Sequence, residues 1–229
     1  KNRIQQEFLR LFNCSTNGLT WATWAGADPR ISQSDLLGSL RWFQEKNIAL
    51  FNAQAVYPGT EFTDPKVHHE IFLQNKKDDF AKAVKNYVTL SATKFSPPVR
   101  SLQLANEIEG RPAYTNLLGR ESVVDWFKWA KEANPKMKTE INGAYRLGEG
   151  DVSTQNRGAA WPGKDTEGLQ YYFDLVSWLI KQGAPIDYIG IQNHAGIGAA
   201  GPEAVLKTLD QFATFGKPLE ITEFEVTLE

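Results

Sequence analysis

The chain has 229 residues, 41% hydrophobic and 23% charged, with 25 Lys and Arg against 27 Asp and Glu for a net charge of −2. These values are globular averages and exclude a disordered chain or a polybasic nucleic-acid-binding face. A single cysteine, Cys14, excludes intramolecular disulfides, Cys-rich zinc sites and CxxC redox chemistry, and no run of about 18 apolar residues marks a membrane span.

Short β-rich runs alternate with segments of helical period, which predicts βαβ units in one domain over residues 1–229. In chain order the pattern predicts a helix over 4–10, a strand over 11–16, a helix over 34–46, a strand over 48–56, a helix over 77–94 and a strand over 99–105. A helix over 122–132, a strand over 138–142, a helix over 166–182, a strand over 186–192, a helix from Pro202 to near Gly216 and a strand over 218–223 complete it. The 166–182 helix carries Leu169, Tyr172, Phe173, Val176, Leu179 and Ile180 on one stripe, and Gly183 and Pro185 stop it. The strands are short and mostly apolar, as parallel strands covered by helices are. Six strands fit an open doubly wound sheet or a (β/α)8 barrel short of two strands.

In both architectures chemistry sits at the C-terminal ends of the strands. Two runs end in acids there: Leu104-Ala105-Asn106-Glu107 and Glu220-Ile221-Thr222-Glu223. Two carboxylates at one mouth suit glycoside cleavage, in which one donates a proton and the other attacks the anomeric carbon. Asn106 beside the donor could bind a sugar hydroxyl, and the strand before Gln192-Asn193-His194 delivers an amide and an imidazole to the same rim. Trp21, Trp24 and Trp161 lie where apolar sugar faces could stack, while Trp42, Trp126, Trp129 and Trp178 fall on helices as packing residues.

Three further motifs carry less. Gly196-Ile197-Gly198-Ala199-Ala200-Gly201 spells the dinucleotide fingerprint, but Gln192 to Ala195 separate it from the strand it should follow, so a small-residue loop is the favoured reading over a nucleotide-binding oxidoreductase. His68-His69-Glu70 resembles a metal cluster, yet helix neighbours point about 100° apart. Asn13-Cys14-Ser15 fits a glycosylation sequon inside a strand expected to be buried.

With those residues in hand, the chain resembles glycoside hydrolase family 10, whose best-known members are endo-1,4-β-xylanases. The resemblance rests on Leu104 to Glu107, on Phe127 to Pro135 followed by Ile141-Asn142, on Gly183 to His194 and on Ile221 to Val226, in family order and at similar spacing. It implies a (β/α)8 barrel with Glu107 as general acid/base, Glu223 as nucleophile, Asn106 at the sugar 2-hydroxyl and Gln192 and His194 near the nucleophile. Asn142, Tyr145, Tyr57 and Trp161 are further candidate substrate-binding residues. No metal or cofactor is required; the implied partner is a β-1,4-linked plant polysaccharide or oligosaccharide, with neither nucleic acid nor membrane, and the setting is extracellular or periplasmic, although Lys1 to Gln5 carry no signal peptide. The alternative on the same fold is a carbohydrate-binding pseudoenzyme.

Departures from the family pattern qualify the substrate. The Glu-Asn and Lys that follow the family's second strand give way to residues such as Gly18, Leu19 and Ala22, Ala53 stands where the family has a substrate-binding His, and Gly143 replaces the Asp of Asn-Asp. The first and last predicted strands correspond to the family's second and seventh, which leads to the expectation that further chain segments complete the barrel.

Overall fold

Strand follows strand in space as in sequence. In the computed structural model, which describes residues 2–16, 20–25, 32–51, 53–58, 74–150, 152, 161–162, 168–195 and 200–226, β1 (Cys14–Thr16) pairs in parallel with β2 (Ala49–Phe51). A second parallel sheet runs β3 (Ala53–Gln54), β4 (Ser101–Asn106), β5 (Lys138–Gly143), β6 (Tyr188–Ala195) and β7 (Leu219–Val226). A parallel bridge between Leu50 and Val99 joins the two sheets, and Arg100 N–H donates to the Leu50 carbonyl at 2.7 Å. The order never reverses. A doubly wound sheet needs a reversal at its switch point, so this winding is that of a barrel wall, with right-handed crossovers placing the helices on one face.

The helices are α1 (Asn2–Leu11), α2 (Trp21–Trp24), α3 (Gln33–Glu45), α4 (Lys77–Lys94), α5 (Ala113–Leu118), α6 (Glu121–Ala133), α7 (Gly168–Lys181) and α8 (Pro202–Ala213). The core lies between them and the strands, where Leu102, Ile141, Ile189 and Ile191 are buried with Phe80, Val88, Trp126, Phe127, Phe173 and Phe212. On the α7 side, an added Cβ at Gly143 would sit 2.7 Å from the Tyr172 ring, whose hydroxyl lies 3.1 and 2.6 Å from the carbonyls of Ile141 and Gly190. No side chain fits at 143 while that ring is in place, which accounts for the glycine where the family has Asp. On the opposite face an added Cβ at Gly190 would meet Glu140, Thr222 and Asn142. The barrel interior is thus lined by polar side chains, and Gly190 leaves them room.

Most predicted elements fall within a residue or two of those observed; the differences are physical. Leu11 closes α1 instead of opening a strand, and β1 is largely exposed, not buried, with Cys14 at the surface. Among the described residues β1 pairs only with β2. β6 and β7 run on to Ala195 and Val226 because their pairing continues through His194 with Glu225. The short helices α2 and α5, of 4 and 6 residues, escape prediction, being too short to carry a period. Trp21, suggested as a sugar platform, is 5% exposed and stacks on Tyr87 at 5.2 Å, and Trp24 packs edge-on against Phe95 at 5.0 Å. Both are held by neighbouring helices. Trp126 and Trp178 are buried on theirs as expected.

Candidate active site

Two β-bulges aim the acids. Between β4 and β5 the register passes from Gln103 opposite Glu140 to Ala105 opposite Ile141, so β4 contains one extra residue. Side chains alternate along a strand, and one inserted residue reverses the alternation beyond it. Asn106, three residues after Gln103, therefore faces the interior beside Asn142. Between β6 and β7 the register passes from Ile191 opposite Ile221 to Asn193 opposite Phe224, so Thr222 and Glu223 together oppose Gln192. That bulge brings two consecutive side chains to Asn142: the Thr222 hydroxyl donates to Asn142 Oδ1 at 2.6 Å, and Asn142 Nδ2 donates to Glu223 Oε1 at 3.3 Å.

Asn142 also donates to Asn106 Oδ1 at 2.7 Å, so its amide links the segment before Glu107 to Glu223 and has no polar atom left over. Asn106 is fully buried and its Nδ2 has no acceptor among the described residues. A buried amide N–H without a partner costs stability until something accepts from it, which suits a hydroxyl brought by a ligand.

Glu107 leaves β4 with φ 51°, a left-handed conformation that a non-glycine residue adopts at a cost of order 1–3 kcal/mol. Its N–H donates to the Asn142 carbonyl at 3.0 Å, which holds the turn. Three donors meet its carboxylate: Gln192 Nε2 on Oε1 at 2.9 Å, and the Tyr57 hydroxyl and Arg111 Nε on Oε2 at 3.0 and 3.2 Å. The Arg111 guanidinium lies 4.4 Å from the Tyr57 ring centroid, so the two support each other. Burial first, and then the neighbouring Glu107, pushes the Tyr57 hydroxyl up to about 12, which keeps it a proton donor in this contact.

His194 stands between two acids, with Nδ1 2.9 Å from Glu225 Oε2 and Nε2 3.2 Å from Glu223 Oε2. The bond to Glu225 raises its pKa above the ordinary value, against a smaller opposing effect of burial, and the bond to Glu223 adds to the rise. Beneath this layer Glu140 is fully buried, and burial with the nearby Glu220 raises its pKa well above the usual carboxylate range. Glu109, two residues past Glu107, accepts from Ala144 N–H at 2.8 Å, and burial pushes its carboxyl up to about 7.

The structure thus brings Glu107, Glu223, Asn106, Asn142, Gln192, His194 and Tyr57 into one hydrogen-bonded set. Tyr145 and Trp161 stand apart from it: Tyr145 packs on Tyr172 at 6.1 Å near Glu109, and Trp161 is partly exposed, edge-on to Trp178 at 5.0 Å. Arg111, Glu225 and Thr222 join this set without having been singled out in the sequence. Glu225 was detectable as the next same-face position after Glu223 on a strand, and Arg111 only once the turn after Glu107 is known. Residues 17–19, 52, His68-His69-Glu70 and Gly196 to Ala199 lie outside the described residues.

The family model described as "Glycosyl hydrolase family 10" matches residues 64–229. The curated "Endo-1,4-beta-xylanase 3" of Hypocrea jecorina is 28% identical over 159 residues, covering 67% of this chain and 40% of that protein. Among solved structures, native xylanase 10B from Thermotoga maritima superposes with a TM-score of 0.73 at 18% identity, covering 98% of this chain and 65% of that one. Xylanase 10B from Thermotoga petrophila RKU-1 in complex with xylobiose gives 0.74 at 19%, with coverages of 98% and 65%. The chain therefore spans less than two thirds of the length of these relatives, and its fold is that of an incomplete (β/α)8 barrel.

Proposed function

The chain belongs to glycosyl hydrolase family 10, and from that premise we propose that it cleaves a β-1,4-linked plant polysaccharide of the xylan class with retention of configuration. The observation that carries the reading is the network in which Asn142 and Gln192 tie Glu107 and Glu223 to one interior face. Glu223 attacks the anomeric carbon and the C1–O bond to the leaving sugar breaks as Glu107 hands its proton to that oxygen. A water then gives its proton to Glu107 and its oxygen to C1, which releases Glu223. Gln192 and Tyr57 hold the Glu107 carboxyl through both steps. His194 and Asn142 hold Glu223, and the open N–H of Asn106 serves the 2-hydroxyl of the sugar being transferred. The open edges β1 and β7, with Phe12, Ile221 and Phe224 exposed, are where further strands would pair.

The test is hydrolysis of xylo-oligosaccharides and aryl β-xylosides with the first-formed anomer read by NMR. A β product supports the reading; an α product, or no product from any β-glycan, overturns it. A second reading, a carbohydrate-binding protein without turnover, is favoured by Arg111, whose Nε lies 3.2 Å from Oε2 of the Glu107 carboxyl that catalysis needs as a proton donor. Oligosaccharide binding without product would select it.

A further inference from the structure

Two neutral donors already orient the Glu107 carboxylate, Gln192 Nε2 on Oε1 at 2.9 Å and the Tyr57 hydroxyl on Oε2 at 3.0 Å. A positive charge is added to them: Arg111 Nε donates to Oε2 at 3.2 Å, and among the described residues Glu107 is the one carboxylate that pairs with Arg111. The turn after β4 delivers it. Glu107 takes φ 51°, and the Gly110 N–H donates to the Glu107 carbonyl at 3.2 Å, so the chain doubles back and residue 111 returns beside residue 107. The Tyr57 ring, 4.4 Å from the guanidinium carbon, then fixes the plane of the arginine. The other ionisable groups that face this carboxylate are Tyr57 after β3, Glu109 on the same turn and Glu223 on β7. Burial holds the proton of Glu109 up to about pH 7 and burial with Glu107 holds that of Tyr57 up to about 12, while the His194 ring is bonded to Glu223 and Glu225. In mildly acidic solution Arg111 is therefore the cation bonded to Glu107 itself.

We propose that Arg111 is a positioning residue that acts with opposite sign on the two steps of the reaction: its fixed charge speeds transfer of the Glu107 proton to the leaving oxygen and slows the return of a proton from water. The inference rests on the glycosidase reading, in which Glu107 performs both transfers. In the first step the Glu107 O–H bond breaks and its electron pair stays on the carboxylate, while the leaving oxygen takes the proton as its bond to C1 breaks and Glu223 bonds to C1. Negative charge thus grows within 3.2 Å of a guanidinium already in place, which stabilises it without reorganisation. In the second step the water oxygen bonds to C1, Glu223 leaves with its electron pair, and the water proton bonds to Glu107. The charge that Arg111 attracts then disappears, so the same contact holds the carboxylate back. Gln192 and Tyr57 are neutral and respond less to the change of charge. A lysine supplies the charge without the planar face that rests on Tyr57.

The experiment reads the two steps separately in the wild type, Arg111→Met and Arg111→Lys, each on the plateau of its own pH profile. The first is read as kcat/KM on aryl β-xylosides of graded leaving-group acidity, the second as the rate at which water releases the sugar from the isolated 2-fluoroxylosyl-enzyme. Arg111→Met should lose about five- to tenfold in kcat/KM on the xyloside with the poorest leaving group, less than a fully buried charged contact gives because the Arg111 side chain is 35% exposed. The loss should shrink as the leaving group becomes more acidic, the sugar release should become faster, and Arg111→Lys should lie between. A loss uniform across the series, or a sugar release that fails to quicken, overturns the proposal, since a merely structural role slows both steps. Should the wild type cleave none of the xylosides, the glycosidase reading fails and takes the kinetic role with it, and NMR decides the contact alone. An Arg111 Nε–H resonance that exchanges faster with solvent in Glu107→Gln upholds the charged pairing, and one indifferent to that substitution overturns it.

Discussion

His194 Nδ1 lies 2.9 Å from Glu225 Oε2, and that contact determines which ring nitrogen is left to face Glu223. Because the bond to Glu225 is the largest cause raising the His194 pKa, the imidazolium persists above its ordinary titration range. The sign follows: the attraction to both carboxylates is full below about pH 6.5 and is lost as pH rises through the raised value. Glu225→Gln should move the His194 midpoint down, and the alkaline limb of activity should move with it. NMR titration of the His194 ring protons reads this directly; an unchanged midpoint contradicts it.

The two acids should separate by role. Glu223→Ala should abolish turnover of every glycoside, whereas Glu107→Ala should spare aryl glycosides whose leaving group needs no proton. Steady-state rates on a series of aryl xylosides of graded leaving-group acidity check this. An activated substrate hydrolysed equally by wild type and Glu223→Ala would remove Glu223 from the mechanism.

Gln192 is the donor to Glu107 Oε1. Gln192→Leu keeps the volume and removes a hydrogen bond to a charged group, an effect of about 1.5–3 kcal/mol or roughly 10- to 150-fold. The loss should fall in kcat with KM nearly constant, because the amide orients the acid rather than the sugar. A loss confined to KM would make Gln192 a substrate ligand instead.

Gly143→Ala should destabilise the fold by about 1–3 kcal/mol, the usual cost of overpacking. The Tyr172 ring, 2.7 Å from the added carbon, is pinned by its hydroxyl and has little room to yield. Gly143→Asp, which restores the family's residue, should cost more. Urea denaturation midpoints test both, and an unchanged midpoint in Gly143→Ala would mean that the ring moves freely.

The strand succession and the two acids were legible in the sequence because apolar runs mark buried parallel strands and because Asn106-Glu107 and Thr222-Glu223 close two of them. The bulges were not. A one-residue insertion in Ser101–Asn106 or Leu219–Val226 leaves composition unchanged, yet it decides whether Asn106 and Glu223 face the interior. Arg111 was equally silent, since its contact depends on the left-handed turn at Glu107. Trp21 misled because its place after a strand suits a sugar platform, while the stacking of Tyr87 from α4 is visible only in three dimensions.

In the proposed reaction Glu223 becomes covalently glycosylated while Glu107 gives and takes the proton. The most direct measurement is to incubate the protein with a 2-deoxy-2-fluoro-β-xylobioside carrying an activated leaving group, then to digest it and map the labelled peptide by mass spectrometry. One sugar adduct per chain is expected on Glu223, with the label still forming in Glu107→Ala and absent from Glu223→Gln; an adduct on any other residue, or none from a substrate that is turned over, rules out Glu223 as the nucleophile.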